Sequence, residues 1–359
     1  MKKIAIMTAG GDCPGLNSVI KTVVLSAMKN GITVVGVLDG YIGFVEKKYT
    51  VLNEKTIENI ETLGRTILGS SNKECPFYYP SKEDKNVFVD RVDEGIQGLR
   101  ELGVEALIVI GGDGSLDSAR VIYEHGMPTI GIPKTIDNDM SASDPTIGFD
   151  TAVETAVENI ARLKTTAYSH RRVLVVETMG RTSGYLTLYA GFASNADVIL
   201  LPEIDYNLDI VADRVKAVME SSKRYCIIVV SEAAKEKGKD EVIKKIVKDS
   251  FEQKRYGGVS EKLAAEIEEI TGYETRNLVL GHLQRGGAPS VTDNILATRL
   301  GGYAMKLLLN NEFGKIVGAK NGKLEAIDFP KERIPRLLNV TDNDIIQTAR
   351  NMGICFGDI

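Results

Sequence analysis

Residues 105–139 read EALIVIGGDGSLDSARVIYEHGMPTIGIPKTIDND, and the order of residue types in this stretch decides the fold. Glu105 to Ile110 is a short apolar run rich in branched side chains, as expected of a strand buried on both faces. A glycine-rich turn, Gly111-Gly112-Asp113-Gly114-Ser115, follows at once. Leu116 to Glu124 then reads as a helix and Pro128 to Ile132 as the next strand. Strand, glycine turn, helix and strand in this order make a βαβ unit, and with it a mainly parallel sheet covered on both faces.

The same pattern recurs along the chain. Lys3 to Thr8 is an apolar run leading into the GGDCPG turn at 10–15, with a helix expected from Asn17 to Lys29 and a strand from Thr33 to Leu38. Val153, Val157, Ile160 and Leu163 recur at helical spacing. Val173 to Glu177, Val198 to Leu201 and Tyr225 to Ser231 are further strand-like runs. Small polar residues from Ser141 to Asp144 mark a crossing between two lobes. Lys235 to Arg255 mixes both charge signs around a weak apolar stripe of Val242, Ile246 and Val247, and reads as a solvated helix with its connection.

Composition narrows the function. The chain has 359 residues, 43% apolar and 26% charged, which excludes wholesale disorder and allows two domains or one large α/β unit. A net charge of −5 argues against a nucleic-acid footprint or a polybasic membrane surface. No apolar run approaches the roughly 20 residues of a membrane span. The four cysteines are dispersed without a CxxC pair, which fits a reducing cytoplasm, and three histidines leave little room for a histidine-rich metal site. Glycine is the unusual residue, with 35 copies and no low-complexity tract to absorb them. Glycine at discrete sites marks tight turns and close backbone approach to a ligand.

Those turns carry the chemistry. Loops after parallel strands converge beyond the carboxyl ends of a sheet. A loop such as Ala9 to Gly15 brings backbone N–H groups close to phosphate oxygens, at the N-terminus of the helix that follows. One such loop is as readily a plain tight turn; two at equivalent positions point to phosphate. Neither a GxxxxGK P-loop nor a helix-opening GxGxxG is present, so P-loop NTPases are excluded and a dinucleotide dehydrogenase loses its main support. GGDGS offers the Asp113 carboxylate among backbone donors, which suits Mg²⁺ held between protein and nucleotide phosphates. The same loop also resembles those of NAD kinases and diacylglycerol-type lipid kinases. Thr135-Ile136-Asp137-Asn138-Asp139 places two carboxylates just after a strand, one to accept a proton from an attacking hydroxyl and one near the metal. Taken singly, Asp-Asn-Asp is equally an Asx-rich turn. Arg171, Arg172, Arg181, Arg276 and Arg285 stand in polar, glycine-bearing settings, and guanidinium forks bind phosphate bidentately.

The conjunction of GGDGS, PKTIDND, MGR and GHLQRGG in this order resembles the 6-phosphofructokinases over roughly the whole chain. The resemblance implies two Rossmann-like three-layer lobes with mainly parallel sheets and the active site in the cleft between them. It divides the chain into a donor-binding lobe of residues 1–140 plus 258–304, a sugar-phosphate lobe of 141–257, and a C-terminal segment, 305–359, packing across both. It also implies glycolytic transfer of the γ-phosphoryl of MgATP to the 1-hydroxyl of fructose 6-phosphate, giving fructose 1,6-bisphosphate. Asp137 matches the catalytic base, beside Thr135, and Arg181 the arginine that stabilises the transferring group. Asp113 matches the Mg²⁺-linked aspartate; Gly11, Gly112, Gly114 and Ser115 match the donor-phosphate loops. Thr135, Ile136, Asp137, Met179, Gly180, Arg181, Glu232, His282, Leu283, Gln284 and Arg285 fall where the family contacts the sugar phosphate. Arg172 and Arg276 match arginines that reach the 6-phosphate from a neighbouring subunit, which implies a homo-oligomer, at least a dimer and usually a tetramer.

The departures are specific. Ordinary bacterial members carry an arginine where this chain has Asn72 followed by Lys73, so Lys73 is the candidate to supply the donor-side charge. The basic bacterial effector site has Lys21, Leu25 and Glu54 as its counterparts, and control by ADP or phosphoenolpyruvate of the usual kind is not expected. Pyrophosphate-using members pair an acidic residue at position 114 with Lys at 134, whereas ordinary ATP users have glycine at both. This chain pairs Gly114 with Lys134 and resembles the mixed-donor branch. A glycine at 114 leaves room for the rest of a nucleotide, and that exclusion argument favours ATP over pyrophosphate. A pyrophosphate-dependent enzyme and a catalytically silent sugar-phosphate-binding subunit are the alternatives.

Overall fold

The computed structural model describes residues 1–71, 75–81, 83–84, 86–246, 254–332 and 335–359. Two sheets dominate it. The larger runs, edge to edge, Lys323–Asp328, Lys315–Lys320, Thr129–Pro133, Ala106–Gly111, Lys3–Thr8, Thr33–Val37 and Tyr49–Leu52. Its five central strands are parallel, and an antiparallel strand closes each edge. The smaller sheet runs Thr275–Val279, Val173–Thr178, Cys226–Ser231 and Val198–Leu200, all parallel. Every residue of Ala106–Gly111, Val173–Thr178 and Cys226–Ser231 is buried, because helices cover both faces of each sheet. The α/β class and mainly parallel sheets expected from the sequence are therefore present.

Topology places the first crevice. From Lys3–Thr8 the chain moves to one side for Thr33–Val37, then crosses to the other for Ala106–Gly111. The loops leaving Lys3–Thr8 and Ala106–Gly111 therefore diverge at a topological switch point, where open sheets bind ligands. Two differences from the expected elements have physical reasons. The helix after GGDGS spans Asp113–Glu124 and not Leu116–Glu124, since extended Gly112 serves as its N-cap and Asp113 begins the first turn. Residues 235–255 hold no helix among those described; Ile243–Ile246 pairs with Lys254–Tyr256 as antiparallel strands. β-branched Ile243 and Ile246 favour an extended chain, and the partner strand outweighs a weak helical stripe.

One long helix, Phe149–His170, carries the chain from the first sheet to the second. It begins at Gly148, whose φ of 96° is left-handed and whose missing Cβ would stand 2.6 Å from the Cβ of Cys13. Only glycine meets both conditions. The helix start is held by buried Asp293, which accepts bonds from the N–H of Gly148 (2.9 Å), the N–H of Thr151 (2.8 Å) and its Oγ1 (2.6 Å). Asp293 lies in the first turn of Val291–Leu309, which packs on Leu16–Lys29 of the first lobe. Asp293→Asn turns one acceptor into a donor facing three donors. Urea denaturation at pH 7 should show a loss of about 2–4 kcal/mol in unfolding free energy; a loss within error of zero would show that this carboxylate does not hold the helix start.

Candidate active site

The first lobe brings three loops together. Ala9 and Gly10 are fixed by N–H bonds to the carbonyls of Ile110 and Ser71, both 2.9 Å. Gly10, Gly11, Asp39, Arg65, Gly69 and Ser70 line a cleft of about 690 Å³, in the range that holds a nucleotide-sized ligand. Beside it, Gly112, Asp113, Gly114 and Ser115 form the cap and first turn of a helix, whose positive dipole end favours phosphate. Lys134 is 3% exposed, and its ammonium donates to the Gly11 carbonyl. Cys13 is no nucleophile, because burial pushes its thiol up to about 12. Asn72 and Lys73, expected on the donor side, lie outside the described residues.

The Thr135–Asp139 loop contains the least expected electrostatics. Its turn is held by its neighbours: Asn138 Oδ1 accepts the Thr146 N–H at 3.0 Å, and the Thr146 hydroxyl donates to the Thr135 carbonyl at 2.7 Å. Asp137 contributes its backbone N–H to Thr135 Oγ1 at 3.1 Å. Its carboxylate is wholly buried, yet neither oxygen has a hydrogen-bond partner among the described residues. The nearest cation is Arg181, with Nε 3.5 Å from Oδ2. Buried carboxylates without hydrogen bonds are costly and mark functional sites. Asn138 thus satisfies the Asx turn, and Asp137 is left for something else. Asp139 is pushed up to about 7, first by burial, then by the charges of Asp137 and Asp113. Three carboxylates therefore share one field, although no three acidic, histidine or cysteine groups among the described residues could cage a metal by themselves. That donor set fits Mg²⁺, which takes one or two carboxylates and completes its shell with water and phosphate.

The second lobe supplies the facing wall. After Val173–Thr178 the chain turns through Gly180 (φ 137°) and Arg181 (φ 52°). Met179 N–H donates to Gln284 Oε1 at 2.9 Å, and Arg181 N–H donates to Glu232 Oε1 at 3.0 Å. Gln284 is wholly buried, and its Nε2 has no partner among the described residues. Burial pushes Glu232 up to about 7, against the opposing pull of the Arg181 N–H. Arg285 reaches back to the first lobe, where Nη1 donates to the Asp12 carbonyl at 3.1 Å. A Cβ on Gly11 would stand 2.9 Å from that guanidinium, so the two lobes touch at a glycine. His282 and Leu283 are exposed on the same turn. Arg172 and Arg276 are not part of this wall. Both bond to Glu274, at 2.8 and 2.6 Å, at the amino-terminal ends of the strands. That end lies about 20 Å from Met179 by strand rise.

The phosphofructokinase family model matches residues 3–308. The chain belongs to the phosphofructokinase family. It is 44% identical over 363 residues to the ATP-dependent 6-phosphofructokinase 2 of Clostridium perfringens, covering 100% of this chain and 99% of that one. Among solved structures it resembles the phosphofructokinase of Saccharomyces cerevisiae, with a TM-score of 0.79 and 28% identity. That match covers 92% of this chain and spans 45% of the yeast chain. The pyrophosphate-dependent phosphofructokinase of Marinobacter aquaeolei shares the fold at a TM-score of 0.80 and 20% identity, over 99% of this chain and 92% of that one.

Sequence reasoning missed the supports of these loops. Thr146 holds the Thr135–Asp139 turn and Asp293 the start of Phe149–His170, and Glu203 accepts the Gly184 N–H at 2.8 Å beneath the Met179–Arg181 turn. No motif marks them, because each acts through a partner distant in sequence or from an ordinary helix turn.

Glu232 gives a pH test. Its carboxyl, ordinarily near 4.5, is held at about 7 in the folded protein. At low pH both folded and unfolded states hold the proton, so nothing is lost. Between pH 4.5 and 7 the unfolded state releases this proton while the folded state keeps it, so wild-type stability falls through that window and is lowest above it, where the folded state bears the buried charge. Glu232→Gln keeps the acceptor for Arg181 N–H and removes the charge. Its melting temperature should exceed that of wild type by a few degrees at pH 8 and by little at pH 5. An equal gain at both pH values would refute the assignment.

Proposed function

We propose that the protein is a 6-phosphofructokinase that transfers the γ-phosphoryl of MgATP to the 1-hydroxyl of fructose 6-phosphate in glycolysis, giving fructose 1,6-bisphosphate. The observation that carries this reading is Asp137, buried without hydrogen bonds where the loops of both sheets meet. It is the proton acceptor for the attacking hydroxyl, and its missing partner is the substrate. Arg181 faces the same point and neutralises the transferring phosphoryl group. The helix N-terminus at Gly112 to Ser115 holds donor phosphate, with Gly11 on the opposite side of the cleft. Asp113 is the group that would hold Mg²⁺, which supplies charge neutralisation between donor oxygens. Met179, Gly180, Glu232, His282, Leu283, Gln284 and Arg285, with Thr135 and Ile136, form the sugar-phosphate wall.

ATP is the preferred donor. The cleft of about 690 Å³ accommodates more than pyrophosphate needs. Lys134, the residue that otherwise favours pyrophosphate, is occupied by the Gly11 carbonyl. The proposed lobes are 1–140 with 258–304, 141–257 and the trailing 305–359; of these, 258–304 also gives the smaller sheet its Thr275–Val279 strand, and 305–359 gives the larger sheet Lys315–Lys320 and Lys323–Asp328. Arg172 and Arg276 serve the site of a neighbouring subunit, since they are remote from their own; we place the protein as a homo-oligomer of at least two copies, with four expected. No described helix is long and apolar enough to cross a membrane. The four cysteines are unpaired, which supports a cytoplasmic location.

Two measurements test the reading. Purified protein with fructose 6-phosphate should turn over with MgATP and far more slowly with pyrophosphate. Turnover with pyrophosphate alone reassigns the donor, and sugar-phosphate binding without turnover on either donor makes the chain a silent subunit. Asp137→Ala should lower kcat by about a thousandfold while fructose 6-phosphate affinity stays within a few-fold. Near-wild-type kcat in that variant would remove Asp137 from the chemistry.

A further inference from the structure

Residues 335–338 cross the molecule close to the site without entering it. Pro335 forms an antiparallel bridge with Met140, and Arg336 N–H donates to the Asp139 carbonyl at 2.6 Å. The Arg336 guanidinium meets Asp144 at 2.5 Å and lies over the Tyr185 ring, 4.4 Å from its centroid. Tyr185 hydroxyl donates to the Leu337 carbonyl at 3.4 Å. Leu338 N–H donates at 3.3 Å to Glu203 Oε1, the oxygen that also accepts Gly184 N–H.

These contacts fall on the roots of the two facing loops. Asp139 and Met140 continue directly from Asp137. Gly184 and Tyr185 follow closely after Arg181 and open the helix Tyr185–Ala193. Arg336 alone in this strap holds both sides, the first lobe through its backbone N–H and Asp144, the second through the Tyr185 face. A guanidinium can fork onto a carboxylate and stack on a ring at once, which an ammonium cannot do as well. Its cost is visible, because Nη1 is buried without a hydrogen-bond partner among the described residues.

We propose that Arg336 is a positioning residue for phosphoryl transfer, setting the separation of Asp137 and Arg181 without touching substrate. The proposal rests on the functional reading of those two residues. From the Asp137 side no side-chain hydrogen bond among the described residues spans that separation, since the carboxylate makes none and Asn138 bonds to Thr146 in the adjoining loop. A misplacement of about 1 Å in such a site costs on the order of a hundredfold in rate.

The test is a kinetic cycle with fructose 6-phosphate and MgATP on wild type, Arg336→Ala, Arg336→Lys, Arg181→Ala and the Arg181→Ala/Arg336→Ala pair. Arg336→Ala keeps the backbone bond to Asp139 and loses the two side-chain anchors. It should lower kcat by roughly 10- to 100-fold with KM for fructose 6-phosphate within about threefold, and Arg336→Lys should recover only part of the loss. In the Arg181→Ala background the same change should cost less than about threefold, because the separation it protects no longer matters. Loss of folded protein would multiply through both backgrounds equally, so equal fold-losses overturn the proposal, as does wild-type kcat in Arg336→Ala. Should Arg336→Ala fail to fold, Tyr185→Leu removes the stacking face and must show the same non-additivity. If wild type phosphorylates the sugar and Arg336→Ala matches it, only the positioning role falls. If wild type transfers no phosphoryl group from either donor, the functional reading falls and the positioning role with it.

Discussion

Asp137 is buried with no hydrogen-bond partner for either carboxylate oxygen among the described residues, and the guanidinium of Arg181 stands 3.5 Å away beyond a strand of the other sheet. Neither group is well placed alone. A carboxylate stripped of water and hydrogen bonds is expensive, and it persists only where the surroundings leave it no other conformation. Much of the architecture meets that condition. The Ala106–Gly111 and Thr129–Pro133 strands fix the loop from below, Asn138 and Thr146 hold its turn, and the second sheet presents Arg181 from a backbone that only a glycine-led turn allows. A hydroxyl donor reaching Asp137 would relieve that cost.

Charge crowding follows the same logic. Asp139 is driven to about 7, first by burial and then by the charges of Asp137 and Asp113. A divalent cation with bound phosphates would relieve that crowding of carboxylates. Lys134 carries the opposite sign but spends it on the Gly11 carbonyl, bracing the loop from beneath. The same residue type at the same place can therefore serve backbone geometry and not donor choice.

Local chemistry made the loops legible in the sequence. An apolar run followed by GGDGS or PKTIDND announces a buried strand and an exposed turn within a dozen residues, so Asp113, Asp137 and Arg181 could be named together with their elements. Ile243–Ile246 was not legible as a strand, because its partner lies beyond residues 247–253 and its own pattern is weakly helical. Asp293 and Arg336 were equally silent. Each is an ordinary charged residue whose meaning comes from Gly148, Thr151, Asp144 and Tyr185, brought to it by the fold. Sequence shows where a chain turns toward ligand; it shows poorly what holds that turn still.

The edge of the larger sheet has a consequence for synthesis. Thr129–Pro133 pairs on its outer side with Lys315–Lys320, a strand synthesised long after it. The smaller sheet, built from residues 173–279, also takes a late residue, since Cys355 bridges Val198 and its carbonyl accepts the Ile199 N–H at 2.9 Å. During translation both sheets wait for later residues, the larger with a strand edge open to wrong partners. The strands at 315–328, the strap at 335–338 and the Cys355 bridge thus finish the frame after the GGDGS, PKTIDND, MGR and GHLQRGG motifs have been made, and a chain truncated before them carries those motifs without it.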